Sequence, residues 1–485
     1  MLWWFLCVNC CGMKTTLETA YSPEDFRENA HRVVNLLADH LEESINSEKM
    51  PAIKWIDPEE HLEFWKADFN SPNAKDPVDL FKAVMERSVN LHNPKYIGHQ
   101  VSATLPVTVL SAALIAYLNQ GVSVYDMGMA GNAMEKIMIE HLASKFGYGK
   151  EAAGIITSGG TLANLTALLT ARSRFGEEEY SKLIVLVSGE AHYSIERAVK
   201  IMGLPADNLI KVPVDGNFRM RVDALDELYR TYSDQGKKVL CVIGCACSTS
   251  LGVYDDLEAI GQWANKRDIW FHVDGAHGAA AIYSPKYKTL LKGIEWADSI
   301  ILDFHKLLMA PSLSTALIYK DGKSGIGTFT QKADYLFQSQ QEDQWYNPGK
   351  RTFECTKTMS VLNSYTVLRM YGEELHAGNI DTVYDLAREF SSEIEKHDAF
   401  ELAIRPMSNI VCFRLRVDGD SDKVNKGIAD RLLADGRFYI VNTVVNGEFW
   451  FRITIQNPLT TLAHLMELLD YILILHKDDG KLQEV

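Results

Sequence analysis

One short apolar run of this sequence closes on Asp303-Phe304-His305-Lys306. A lysine at a strand end is ordinarily a solvated surface charge, but its amine can also bond covalently to a carbonyl group. Three similar runs end in polar groups of their own. After Leu183–Val187 comes Glu190-Ala191-His192-Tyr193-Ser194. After Ile269–Val273 comes Asp274, followed by Gly275-Ala276-His277-Gly278. An acid directly ending an apolar strand is costly without a cationic partner, and the small residues behind it leave room for something flat. After Gly154–Thr157 comes Ser158-Gly159-Gly160-Thr161, opening a helix. Its glycines let backbone N–H groups approach an anion, and the helix dipole favours the charge. The spacing is neither a P-loop nor a dinucleotide fingerprint.

The elements that must position these groups are legible from residue 105 onward. Strands are expected at Gly154–Thr157, Leu183–Val187, Leu209–Val212, Val239–Ile243, Ile269–Val273, Ser299–Leu302 and Thr315–Tyr319. Amphipathic helices such as Leu162–Arg172 and Leu257–Lys266 lie between most of them. Helices Val107–Asn119 and Asn132–Phe146 lead in. Such alternation predicts an α/β layer with a mostly parallel sheet. After a helix pair around 359–397 come strands 410–416, 438–442 and 449–455, a smaller α+β domain. Ligands of an open α/β sheet bind beyond the carboxyl ends of its strands, so the four polar groups are expected along one edge. Together they ask for a flat, cationic, phosphorylated ligand that can bond to lysine. Pyridoxal 5′-phosphate (PLP) fits: lysine forms the Schiff base, the acid pairs with the pyridinium nitrogen, and the helix N-terminus takes the phosphate.

At 485 residues the chain calls for one large domain with attachments. Forty-nine basic against 64 acidic residues leave a net charge of −15, which repels nucleic acid and anionic membrane. The apolar start Met1–Gly12 is too short to span a bilayer and lacks the basic flank of a secretory signal. It reads as an upstream start with Met13 the working one, or as an anchor lipidated at Cys10 or Cys11. No other segment reads as transmembrane, so a cytoplasmic protein is expected. Cys241, Cys245 and Cys247 could suggest a metal, but the apolar residues around Cys241 make them buried thiols of a strand, and no metal site is expected. A helix beginning at Ser22-Pro23-Glu24-Asp25 carries Phe26, Ala30, Val33, Val34, Leu37 and Leu41 on one face. That face needs a partner, and a second subunit would supply one. Residues 51–95 read as a connecting arm.

From about Pro23 to the C-terminus the chain resembles the group II PLP-dependent amino-acid decarboxylases, which include glutamate, cysteine-sulfinate, aromatic amino-acid and diaminobutyrate decarboxylases. The motifs are NPKYIGH at 93–99, TSGGTLANL at 157–165, HVDGAHG at 272–278, DFHK at 303–306, ADYLF at 333–337 and FRITIQNP at 451–458. The resemblance implies the PLP-dependent transferase fold (fold type I) and a homodimer. It divides the chain into an N-terminal arm over 1–90, a large cofactor domain over 91–370 and a small domain over 371–485. It implies Lys306 as the Schiff-base lysine, Asp274 at the pyridinium, His192 and Ala276 on the two faces of the ring, and Gly159, Gly160 and Thr161 at the phosphate with His305 nearby. Thr249 would place a hydroxyl near the cofactor. Tyr335 would return a proton to the α-carbon, and Arg452 would bind a substrate carboxylate. Asp303 departs from the Asn usual in many relatives, and His277 from a Trp or Tyr. His99 stands where the glutamate enzyme has an amide in its side-chain pocket. Arg452 and the last two motifs lean toward an acidic substrate: glutamate, aspartate or cysteine sulfinate. His99 and His277 keep aromatic and diamino acids open. Transamination or oxidative decarboxylation to an aldehyde would use the same scaffold, but Tyr335 argues against them. Retention as a non-catalytic PLP-binding protein is opposed by the intact Lys306, Asp274 and His192.

Overall fold

The structure is a computed structural model, and it describes residues 17–18, 20–46, 48–71, 76–329 and 344–482. The apolar start and the ADYLF segment with Tyr335 lie outside the described residues.

Two compact units divide the chain. The first comprises residues 1–96 with 430–439, and the second comprises 97–429 with 440–485. In the first, Asp57 and Asp76 cap the helices Pro58–Phe69 and Pro77–Glu86, each with proline in its first turn. These helices occupy much of what the sequence reads as a connecting arm. The helix Pro23–Asn46 keeps Phe26, Val34 and Leu37 exposed within the single chain.

In the second unit a seven-stranded sheet runs in the order β1-β7-β6-β5-β4-β2-β3. Its strands are β1 Ala153–Thr157, β2 Leu183–Ser188, β3 Leu209–Val212, β4 Lys238–Cys245, β5 Trp270–Asp274, β6 Ser299–Asp303 and β7 Thr315–Tyr319. The neighbours β3, β2, β4, β5 and β6 are parallel, while β7 runs antiparallel between β6 and β1. β2, β5, β6 and β7 are buried along their whole length, as expected of a sheet covered on both faces. All seven strands fall within two residues of their expected bounds.

The second helix of the lead-in pair starts seven residues early, at Tyr125, and reaches Lys145 across a kink at Gly128. That glycine weakens the periodic signal that sequence reading relies on. A four-stranded antiparallel sheet follows in the order β10-β11-β9-β8. Its strands are β8 Phe400–Leu402, β9 Ile410–Leu415, β10 Val441–Val445 and β11 Glu448–Thr454. β8 is too short to announce itself. β10 sits three residues later than expected, because Asn446-Gly447 makes a two-residue hairpin with both residues at positive φ and so fixes the register to β11.

Candidate active site

The carboxyl ends of β1, β2, β4, β5 and β6 open onto one cavity of about 470 Å³. Its walls include Gly159, Gly160, Thr161, His192, Thr249, Asp274, Ala276, His277, His305 and Lys306. Ten residues singled out from sequence are therefore brought together by the chain's topology. Two are not among the lining side chains. His99 is exposed, and its neighbour Gln100 lines the cavity instead. Arg452 is buried in β11, where its Nε lies 3.0 Å from Thr249 O and 3.1 Å from Ser250 O, and its Nη2 2.7 Å from Thr249 O. The guanidinium holds two loop carbonyls.

Asp274 is the terminus of an ordered hydrogen-bond chain. Trp270 Nε1 donates to Ser299 Oγ at 2.9 Å, and Ser299 Oγ lies 2.8 Å from His272 Nδ1. His272 Nε2 lies 2.9 Å from Asn164 Oδ1. Asn164 Nδ2 donates to Ser194 Oγ at 2.9 Å and to Asp274 Oδ2 at 3.0 Å. Each group has one consistent polarity. Asp274 accepts from Asn164 Nδ2, which turns Oδ1 toward His272; the neutral imidazole donates to it from Nε2, so the serine hydroxyl donates to Nδ1. Nε2 then carries the hydrogen, and both amide hydrogens of Asn164 point outward. Ala276 N donates to the other oxygen of Asp274 at 3.3 Å. Among the described residues, the groups hydrogen-bonded to the Asp274 side chain both donate to it. Asn164 and Ser194 were missed from sequence. Asn164 lies four residues after Gly160 in the helix Gly160–Arg172, hence on the face of its first turn, and that spacing was the available signal.

Lys306 Nζ lies 2.8 Å from Asp303 Oδ2, and the carboxylate is almost wholly buried. Asp303 holds the Lys306 ammonium above the ordinary lysine range against the opposing effect of burial. At the mouth of the helix Gly160–Arg172 no side chain caps the N-terminus. Gly159 takes φ +136°, a conformation closed to side-chain-bearing residues. A Cβ at Gly160 would stand 3.3 Å from Asp303 Oδ1 and 3.6 Å from Ala276 Cβ, so glycine there keeps the cradle clear. His305 is buried with Nδ1 3.0 Å from Ser314 O.

His277 carries the least expected chemistry. Asn409 Nδ2 donates to Ile455 O at 2.8 Å, which turns Asn409 Oδ1 toward His277 Nε2 at 2.7 Å. Nε2 therefore bears the hydrogen and Nδ1 bears a lone pair. Among the described residues the buried Nδ1 has no hydrogen-bond partner, and His277 lines the cavity. Burial, with Lys306 and Arg452 adding to it, pushes His277 down to about 3.

Buried neutral histidines also predict acid lability. His376 is pushed down to about 4 by burial, and His272 is lowered for the same reason. Unfolded, each binds a proton near 6.5; folded, each refuses it until far lower pH. The stabilisation is complete above the unfolded value and is lost as pH falls through it, at about 1.4 kcal/mol per pH unit for each histidine. Thermal unfolding should therefore shift several degrees lower between about pH 7 and about pH 5. Equal melting temperatures would contradict the neutral assignment.

An amine, a carboxyl group that accepts hydrogen bonds from its neighbours and an uncapped helix N-terminus thus meet at the carboxyl edge of a fold type I sheet. That donor set fits PLP and defines the class of enzyme. The sequence profile of the pyridoxal-dependent decarboxylase conserved domain matches residues 79–416. An L-2,4-diaminobutyrate decarboxylase of Acinetobacter baumannii is 31% identical over 82% of each chain. An L-aspartate decarboxylase of Metarhizium robertsii is 29% identical, again over 82% of each chain. The crystal structure of mouse CSAD superposes with a TM-score of 0.88 over 94% of this chain and 99% of that one, at 23% identity. The chain belongs to the pyridoxal-dependent decarboxylase family. It is a PLP-dependent amino-acid decarboxylase.

Proposed function

We propose that this enzyme decarboxylates an L-amino acid whose side chain donates a hydrogen bond, with a diamino acid such as 2,4-diaminobutyrate first in order. The observation that carries this reading is His277, a cavity-lining histidine held neutral whose buried Nδ1 has no hydrogen-bond partner among the described residues. A lone pair held neutral accepts from an ammonium or hydroxyl and repels a carboxylate. The diaminobutyrate relative supports it. An acidic side chain is the second reading. It is favoured by two other lining residues, Gln100, whose buried Nε2 has no partner among the described residues, and Arg197. The aspartate decarboxylase relative points the same way.

We assign the roles as follows. Lys306 is the amine that carries PLP. Asp274 accepts a hydrogen bond from the pyridinium N–H and so keeps the proton on the ring nitrogen. His192 and Ala276 flank the ring, Gly159, Gly160 and Thr161 with His305 receive the phosphate, and Thr249 stands beside the ring. When bound, PLP draws into its ring the electron pair left by departing carbon dioxide. The walls must hold the substrate's carboxylate perpendicular to that ring, which is positioning work. Tyr335 is assigned the return of a proton to the α-carbon on the ADYLF match. Arg452 is assigned to hold the Thr249–Ser250 loop rather than a substrate side chain, and His99 is left to the rim.

The exposed apolar residues of helix Pro23–Asn46 are proposed to face a second copy of the chain, and sedimentation of the intact protein as a monomer would remove that assignment. Among the described residues no helix is long and apolar enough to cross a membrane. We place the enzyme in the cytoplasm and divide it at about residues 90 and 370 into arm, cofactor domain and small domain.

The test is a product screen. Protein with PLP is incubated with 2,4-diaminobutyrate, aspartate, glutamate, cysteine sulfinate and aromatic amino acids, and amines are read by mass spectrometry with Lys306→Ala as blank. A diamine product is expected. His277→Phe should then lower kcat/KM for the diamino acid about tenfold or more, the worth of a hydrogen bond to a charged group. An amine from an acidic substrate alone would select the second reading.

A further inference from the structure

Asp303 carries a buried charge, and in this chain that charge has a partner. It ends β6, directly opposite Thr315 of β7 in the antiparallel register. Thr315 Oγ1 donates to Oδ1, while Oδ2 receives Lys306 Nζ at 2.8 Å and lies 3.6 Å from His305 Nε2. The carboxylate is nearly fully buried, and it stands beside the glycine cradle of the helix N-terminus. Such a pair, once formed, is not easily parted, because either charge left alone in the interior is strongly unfavourable.

We propose that Asp303 is a positioning residue that docks the Lys306 ammonium whenever that nitrogen is not bonded to PLP, and that it thereby sets the pH dependence of covalent loading. The inference rests on Lys306 being the amine that carries PLP. Loading joins Nζ to the aldehyde carbon. A C=N bond forms, the C=O bond breaks, and the oxygen leaves as water with the two hydrogens of the neutral amine. The nitrogen attacks with its lone pair, so the docked ammonium must first yield a proton to solvent. Its surroundings oppose that loss unequally. Asp303 and Asp274 favour the ammonium, against the effect of burial. Lys306 in turn opposes protonation of His192 and His277, which both feel Asp303 as well. Asp303 itself is held below the usual carboxylate range by Lys306 and His305, against the effect of burial. The docked state has a second consequence. A lysine displaced by substrate returns to the same carboxylate and is kept near the reacting carbon.

The experiment uses the full-length chain freed of cofactor. Covalent loading with added PLP is followed by the visible absorbance of the lysine-bound cofactor and by borohydride trapping, from neutral to alkaline pH. In the wild type the initial rate should climb with pH through this range. In Asp303→Asn the climb should move about 1–3 pH units lower, the span by which an opposite charge shifts a neighbour. Superimposable profiles would overturn the inference. Failure of the wild type to load, or loading that persists in Lys306→Ala, would instead overturn the cofactor assignment on which it rests. Should Asp303→Asn not fold, the wild type decides through nitrogen-15 lysine NMR of the cofactor-free chain. The Lys306 resonance, assigned by its loss in Lys306→Ala, should titrate above the ordinary lysine range; titration at or below that range would overturn the inference.

Discussion

Asp274→Asn is expected to retain the lysine-bound cofactor and to lose turnover by about 10- to 150-fold. That range is the rate equivalent of a charge-assisted hydrogen bond worth about 1.5–3 kcal/mol. Loading depends on the Lys306 amine and the phosphate cradle, which this substitution leaves alone. Turnover depends on a ring nitrogen that keeps its proton, and an amide oxygen holds that proton far less firmly than a carboxylate. The surroundings sharpen the effect. Asn164 Nδ2 and Ala276 N both donate to Asp274, so an amide hydrogen at this position meets another donor whichever way it turns. Steady-state kinetics beside an absorbance spectrum separate the two quantities. Near-normal kcat with a full spectrum would refute the role assigned to Asp274.

Arg452→Met should act first on stability. The guanidinium makes three hydrogen bonds to the carbonyls of Thr249 and Ser250 from a buried position in β11. Methionine would fill much of the volume and leave both carbonyls without those donors. We expect a loss of about 1–3 kcal/mol, the cost of leaving partly buried carbonyls without those donors. Because Thr249 lines the cavity, weaker retention of PLP should accompany the lower melting temperature. An arginine that instead grips a substrate carboxylate predicts the opposite pattern: an unchanged melting temperature, full cofactor and a raised KM. Thermal melts and kinetics on one preparation decide between them.

The difference between these two residues shows what sequence reading can reach. Asp274, His192 and Lys306 stand at the ends of apolar runs whose type and direction are local properties, set by period and by flanking small residues. Once those runs are parallel strands of one sheet, their ends must share an edge, so the meeting of these groups follows from the pattern. Arg452 also lies in a legible strand, but that strand belongs to the second, antiparallel sheet. Which way its guanidinium turns depends on a loop some 200 residues earlier, and no periodicity reports that. His99 shows the same limit at smaller range: the neighbouring Gln100 lines the cavity, a choice of one residue that the backbone path makes. Asn164 was quoted within a motif yet passed over, because its value comes from His272 on another strand.

By itself the sequence determined an α/β sheet and the meeting of Lys306, Asp274 and His192 along its carboxyl edge. These follow from local periodicity and from the high cost of placing bare charge at the end of an apolar strand. Tertiary structure alone decided the polarity of the hydrogen-bond chain onto Asp274, the pairing of Asp303 with Lys306 and the tautomer in which Asn409 holds His277. Each of these depends on which donor stands opposite which acceptor across separate elements, and a buried polar group takes its protonation state from those neighbours rather than from its own residue type.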